Sequence, residues 1–163
     1  MTEPGAAPPT SHAVVIGVGE HFRRDDGCGP RVVRALRGRV GAGVKLVERV
    51  VEPTELIDLW DRAELAVVVD AMRSGRPTGE VHRFEGEELA RVPAERLTSS
   101  HGLSIRDAYQ LGRALGKLPG RLVLYLIEAG ELGHGITLSP EVAEAVGRAA
   151  AAVVAELRAS ERP

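Results

Sequence analysis

The chain has 163 residues, a formal net charge of −2, 3% aromatic residues and one cysteine. That length suits one domain with a substantial core, the charge leaves no basic footprint for nucleic acid, and a lone Cys28 excludes an internal disulfide framework. No apolar run approaches the ~20 residues that span a bilayer, so no membrane partner is expected.

Residues 1–12 are rich in Pro, Gly, Ala, Ser and Thr and lack the basic start and apolar stretch of a signal peptide. They read as a disordered tail ahead of one domain over 13–160, and a cytoplasmic protein is expected. Residues 13–17 form a short apolar run, a predicted buried strand. Pro30 belongs in the first turn of a helix, where its ring and missing N–H are tolerated, so the helix starts near Gly27–Gly29. Val32, Val33, Ala35 and Leu36 can face a sheet, and Asp26 sits in the turn ahead of them.

A second strand is predicted over Val44–Val51. Pro53 opens a helix whose apolar side is Leu56, Ile57, Leu59 and Trp60. Ala66-Val67-Val68-Val69 is a third buried strand that stops at Asp70. The turn cluster Ser74-Gly75-Arg76-Pro77-Thr78-Gly79 leads to a strand at about 79–84. That link is too short for a parallel crossover, so this strand runs antiparallel. A helix over about Leu103–Leu115 offers Leu103, Ala108, Leu111 and Leu115 for packing, and Leu122–Ile127 is the last strand. Ser139 caps the final helix, with Pro140 at its first position, and the helix runs to about Arg158. Strands alternating with helices predict an α/β sandwich on a largely parallel sheet.

The first strand and its turn are the most informative segment. A strand, a glycine turn and a helix usually cradle a phosphate. Here Asp25 and Asp26 occupy that position, which points to a cation or to acid–base work. Adjacent carboxylates in a turn point apart, so one of the two bonds local N–H groups and the other is free for function. Asp70 ends an apolar strand and must emerge at the sheet edge. If its strand neighbours the first, Asp26 and Asp70 meet in the crevice beyond the carboxyl ends of the strands. His101, in Thr98-Ser99-Ser100-His101-Gly102, lies just ahead of a helix. Two carboxylates and an imidazole make a mixed oxygen and nitrogen site for Ni, Zn, Co or Mn, with positions left open.

Plainer readings exist for each residue. Asp70 could cap an N-terminus or pair with Arg73 or Arg76, and a loop histidine is more often solvated. Cys28 at a helix start could have a lowered pKa, though a small residue filling a tight turn is the simpler account. Glu20 and His21 line the rim, His134 lies in a loop with no partner to name, and Arg23-Arg24 reads as a solvated turn. A dinucleotide fingerprint is weak, because its third glycine position is Phe22, although Glu48 and Glu52 lie where a ribose-binding acid would be. A triad of Ser99 or Ser100 with His101 and Asp70 lacks a nucleophile elbow.

Four blocks in order resemble the hydrogenase maturation endopeptidases. They are Gly17-Val18-Gly19 through Asp25-Asp26-Gly27-Cys28-Gly29, Val67-Val68-Val69-Asp70-Ala71 with the turn after it, Ser99-Ser100-His101-Gly102-Leu103, and Gly135-Ile136-Thr137-Leu138-Ser139-Pro140-Glu141-Val142. The resemblance runs over nearly the whole chain from about residue 13. It implies a three-layer α/β/α sandwich, phosphorylase/hydrolase-like, with five strands, one of them antiparallel. It implies a peptidase that clips a C-terminal extension from a nickel–iron hydrogenase large-subunit precursor. Its metal-binding and catalytic residues would be Asp26, Asp70 and His101, acting on nickel presented by the substrate. Glu20 stands where the family usually has asparagine. A monomer that carries little metal of its own is expected, since three separate loops make a weak preformed site. Two other classes fit the same residues: a non-catalytic module that binds the precursor through its metal, and a metallohydrolase for small substrates.

Overall fold

The computed structural model describes residues 12–97 and 104–163. Apart from His12, the tail expected over 1–12 lies outside these residues, as do Ser99, Ser100, His101 and Leu103. The strands are β1 (Ala13–Val18), β2 (Val44–Val50), β3 (Leu65–Met72), β4 (Val81–Glu85) and β5 (Arg121–Glu128). The helices are α1 (Cys28–Ala35), α2 (Glu55–Trp60), α3 (Ile105–Ala114) and α4 (Pro140–Ser160). They form one five-stranded sheet in the order β2-β1-β3-β5-β4, with β4 antiparallel to β5 and the other pairs parallel. The expected sandwich and its single antiparallel strand are both present.

Strands β1 and β3 are buried throughout because both faces of the sheet are covered. Val15, Val67, Val123 and their same-face neighbours pack under α1 and α4. Val14, Val68, Leu124 and theirs pack under α2 and α3. Alternation along the pleat splits each strand between the two layers. The buried stripe of α4, Val142, Ala145, Ala149, Val153 and Leu157, follows the helical period and lies on the first face. Trp60 closes the second layer, with its indole N–H donating to the Lys117 carbonyl at 2.8 Å. Among the described residues no helix is long and apolar enough to cross a membrane.

Three local expectations change. In α3 the buried side is Ile105, Ala108, Tyr109 and Gly112, whereas Leu111 and Leu115 are exposed. A Cβ on Gly112 would sit 3.2 Å from Leu118, so the helix approaches the layer along its small residues and turns both leucines outward. Ser139 stands at the N-cap of α4 but its side chain makes no capping bond; its hydroxyl is turned to donate to Asp25 at 2.7 Å. Helix α2 starts at Glu55 after a turn that contains Pro53, with Leu56 N–H donating to the Pro53 carbonyl. Pro53 is buried and becomes part of a cleft wall instead.

The chain leaves β1 for β2 on one side and returns to β3 on the other. The crevice between β1 and β3 is therefore the point where the strand order reverses, the usual ligand position in such sheets. Gly17 stands opposite Val69, so the segments after both strands leave the sheet at one level.

Candidate active site

Asp26 lies in a single 3-10 turn, Arg24–Gly27, that runs directly into α1. Two glycines set its position. At Gly19, φ is +140° and a Cβ would meet the Asp26 carbonyl oxygen, so only glycine lets β1 turn this tightly against the Asp26 backbone. At Gly29 a Cβ would lie 2.4 Å from the Val69 carbonyl, so the start of α1 rests directly on β3. These glycines serve backbone-to-backbone packing, which removes the phosphate-cradle reading. Glu48, the candidate ribose acid, is held by Arg34 at 2.7 Å and by Arg37, and hydrogen bonding from Arg34 keeps its carboxyl low.

The two adjacent aspartates do part. Asp25 is completely buried. Its Oδ2 accepts from Gly130 N–H at 2.9 Å, Glu131 N–H at 2.7 Å and the Ser139 hydroxyl at 2.7 Å, and its Oδ1 accepts from Ser139 N–H at 2.7 Å. Burial alone would raise this carboxyl, but the donors from Glu131, Ser139 and Gly130 outweigh it and hold it below 3.8. One aspartate is thus structural, as expected. Its partners are over a hundred residues away rather than local: it ties the first turn to the loop between β5 and α4.

Asp26 faces the other way and lines a narrow cleft with Asp70, Gly19, Glu20, Val51 and Pro53. Its Oδ2 accepts from Glu20 N–H at 2.8 Å and lies 3.7 Å from the Arg23 guanidinium. Arg23 is therefore a contact of the site and not a solvated turn residue. An arginine three positions before an aspartate carries no such meaning in the bare sequence.

Asp70 is 4% exposed, and its one hydrogen bond among the described residues comes from the Ala71 N–H at 2.7 Å. It pairs with neither candidate arginine: Arg73 donates to the Gly130 carbonyl and Arg76 lies against Glu80. Burial first, and then the nearby charge of Asp26, push the Asp70 carboxyl well above 3.8. Two carboxylates in one cleft, one of them kept from its preferred charge, make it the candidate functional site.

His101 lies outside the described residues. Leu97 and Ser104, which bracket the segment containing it, both line the cleft. Ser104 caps α3 through a reciprocal pair with Asp107 and so holds that end of the segment. Among the described residues no group of three or more His, Cys, Asp or Glu is arranged to hold a metal ion. Cys28 is fully buried, and burial followed by the charges of Asp70, Asp26 and Asp25 push its thiol up. It fills the tight turn and is no nucleophile. Glu20 is half-buried on the cleft wall, 3.4 Å from Arg49. His21 packs edge-on against Phe22. His134 is exposed, and its carbonyl accepts from Arg24 at 3.2 Å.

A sheet of this order with two carboxylates at its switch crevice defines an α/β protein with a candidate ligand site there. The model of the hydrogenase maturation protease family, HycI, matches residues 30–156, and the chain belongs to that family. A hydrogenase expression/formation protein, HupD of Thiocapsa roseopersicina, is 29% identical over 136 residues, covering 82% of this chain and 62% of the relative. The chain thus spans under two thirds of that relative's length. The hydrogenase maturating endopeptidase HybD of E. coli is similar in fold, with a TM-score of 0.80 at 24% identity over 92% of this chain and 94% of that one. The maturation protease HybD of Thermococcus kodakarensis gives 0.74 at 25% identity, over 90% of this chain and 99% of that one. The family match begins at Pro30, so the case for Asp26 rests on the geometry of its turn.

Proposed function

We propose that this chain is an endopeptidase that removes the C-terminal extension of a nickel–iron hydrogenase large-subunit precursor after nickel insertion. The observation that carries the reading is the convergence of Asp26, from the turn that follows β1, and Asp70, from within the adjacent parallel β3, in one cleft. Membership of a protease family supports the reaction class and the precursor as partner. The nickel belongs to the substrate. Asp26, Asp70 and His101 complete its coordination and so hold the scissile peptide at the cleft mouth. Positioning of this kind makes cutting depend on correct metal loading.

The reaction is hydrolysis. Water adds to the scissile carbonyl, a carboxylate of the cleft takes its proton, and that proton passes to the leaving amine. Asp26 is oriented for this by Glu20 N–H and Arg23, and Asp70 by Ala71 N–H. The protein acts as a monomer in the cytoplasm.

Mass spectrometry of nickel-loaded and nickel-free precursor incubated with the protein tests the proposal. Loss of a C-terminal peptide from the loaded form alone is the expected result. In Asp70→Ala the rate falls by a factor on the order of 10²–10⁴. Binding of both precursors without cutting overturns the peptidase reading in favour of a binding module. Equal cutting of both removes the nickel checkpoint.

A further inference from the structure

A second cavity lies on the same face of the sheet as the cleft. It has a volume of about 370 Å³ and is lined in part by Met72, His82, Phe84, Arg76, Arg91 and Arg96. That volume is in the range of ligand pockets, ample for a side chain or a chain end. Met72 follows Asp70 by two positions in β3, so both side chains lie on one face. Met72 also bridges to Leu97, which lines the cleft, while Arg96 beside it lines the second cavity. The two cavities therefore share the Met72–Leu97 wall.

We infer that this cavity binds a carboxylate of the peptide substrate, held by Arg91 and Arg96 above an aromatic floor. The floor is the stacked pair His82 and Phe84, with ring centroids 6.3 Å apart and an interplanar angle of 30°. Of the three arginines, Arg76 is paired with Glu80 at 3.2 Å. Neither Arg91 nor Arg96 makes a side-chain ion pair or hydrogen bond among the described residues. The acid lining the cavity, Glu88, is already engaged by the Glu85 N–H at 2.7 Å in a capping box. Glu128 behind His82 is filled by donors from Ser74 and Gly75. The cavity thus presents two guanidiniums without a carboxylate partner among the described residues, over a base in which Met72 and Phe84 are apolar and His82 lies 3.8 Å from Glu80 and Glu128, on a protein whose net charge is −2. Guanidinium forks match carboxylates in a bidentate fashion, and an apolar base favours a peptide over a bare ion. A chain crossing the shared wall would place its scissile bond at the aspartates and its acid among the arginines.

This inference rests on the peptidase reading for its natural ligand, but its test needs neither metal nor cleavage. Three fluorescein-labelled peptides of one apolar scaffold serve as probes in anisotropy titrations. The first carries Glu side chains and an amidated end, the second Gln side chains and a free terminal carboxylate, and the third Gln side chains and an amidated end. At least one of the first two binds about tenfold or more tightly than the third, and added salt weakens it. Which one does so tells a side-chain carboxylate from a terminal one. The double variant Arg91→Gln/Arg96→Gln, both exposed positions, loses that preference with unchanged circular dichroism, whereas Asp70→Asn keeps it. Equal binding of all three peptides, or an undiminished preference in the double variant, overturns the inference. Failure of precursor cleavage with the acid preference intact would count against the peptidase reading alone.

Discussion

Asp25 and Asp26 are neighbours in the chain and opposites in the fold. Asp25 is surrounded by donors that converge on it from Gly130, Glu131 and Ser139. Asp26 shares a cleft with a second carboxylate, Asp70, whose proton affinity is raised by burial first and then by the charge of Asp26. Both environments are buried, so burial does not separate them. What separates them is the company each keeps: converging donors around Asp25, a second buried carboxylate beside Asp26. A carboxylate met by donors holds structure together. Two carboxylates held together repel each other, cost the fold stability, and are kept for what they bind.

The largest expected effect comes from breaking the donor-bound side. In Asp25→Ala three N–H groups and one hydroxyl lose their acceptor, at a cost of about 3 kcal/mol or more, read as a lower midpoint in urea. Asp25→Asn should be little better, because both carboxylate oxygens accept and the amide nitrogen would face donors. The sign with pH follows from the depressed carboxyl. Its stabilisation is present above the unfolded-state value near 3.8 and lost as pH falls through the lower folded value. The advantage of wild type over Asp25→Asn therefore shrinks on acidification below about pH 4. An Asn variant as stable as wild type would erase the distinction between the two aspartates.

The paired carboxylates should show themselves in metal binding. Ligands must be deprotonated to coordinate, so affinity for added nickel falls by about tenfold or more between about pH 8 and about pH 5. Isothermal titration at the two pH values measures it. Asp70→Ala removes the binding, and a variant of the exposed Arg83 leaves it unchanged. An affinity independent of pH would mean that carboxylates and imidazole are not the ligands.

Much of this was legible in the sequence, for identifiable reasons. The apolar runs of β1, β3 and β5 are continuous because both faces of the sheet are covered. The short link after β3 required β4 to turn back. The turn position of Asp26 followed from the glycines after β1, whereas β3 does not stop at Asp70 as expected but runs on to Met72, because Asp70, Ala71 and Met72 all pair with β5. The partners of Asp25 were not legible, because they are backbone groups at Gly130, Glu131 and Ser139 that only the closed fold brings to it. Ser139 kept its position as a helix cap, yet its hydroxyl is turned to donate to Asp25 and accepts from no N–H of the helix. Leu111 and Leu115 misled because they recur at a helical spacing, while Ala108 and Gly112 set the line of closest approach. The arginine-lined cavity had no sequence signature, since Arg76, Arg91 and Arg96 meet across a turn, a strand and two short helical turns.

The smallest effect is the most discriminating, because it has the opposite sign. Asp70→Asn should make the empty protein more stable while removing its cleavage activity. The asparagine oxygen can still accept from Ala71 N–H, the one hydrogen bond the aspartate makes among the described residues. The substitution removes a buried charge that repels Asp26. Because the folded carboxyl is raised, proton uptake favours the folded state fully below the unfolded value near 3.8, and that contribution is lost as pH rises through the folded value. Asparagine does not titrate, so its advantage is near zero in acid and grows toward alkaline pH. At pH 8 it should amount to about 1 kcal/mol, or roughly 2–4 °C in thermal midpoint. The same exchange at Asp25 lowers the midpoint. Opposite signs for one chemical change at two buried aspartates would separate a carboxylate that the fold needs from one that the fold tolerates for its task. A loss of stability in both variants would place Asp70 among the structural residues.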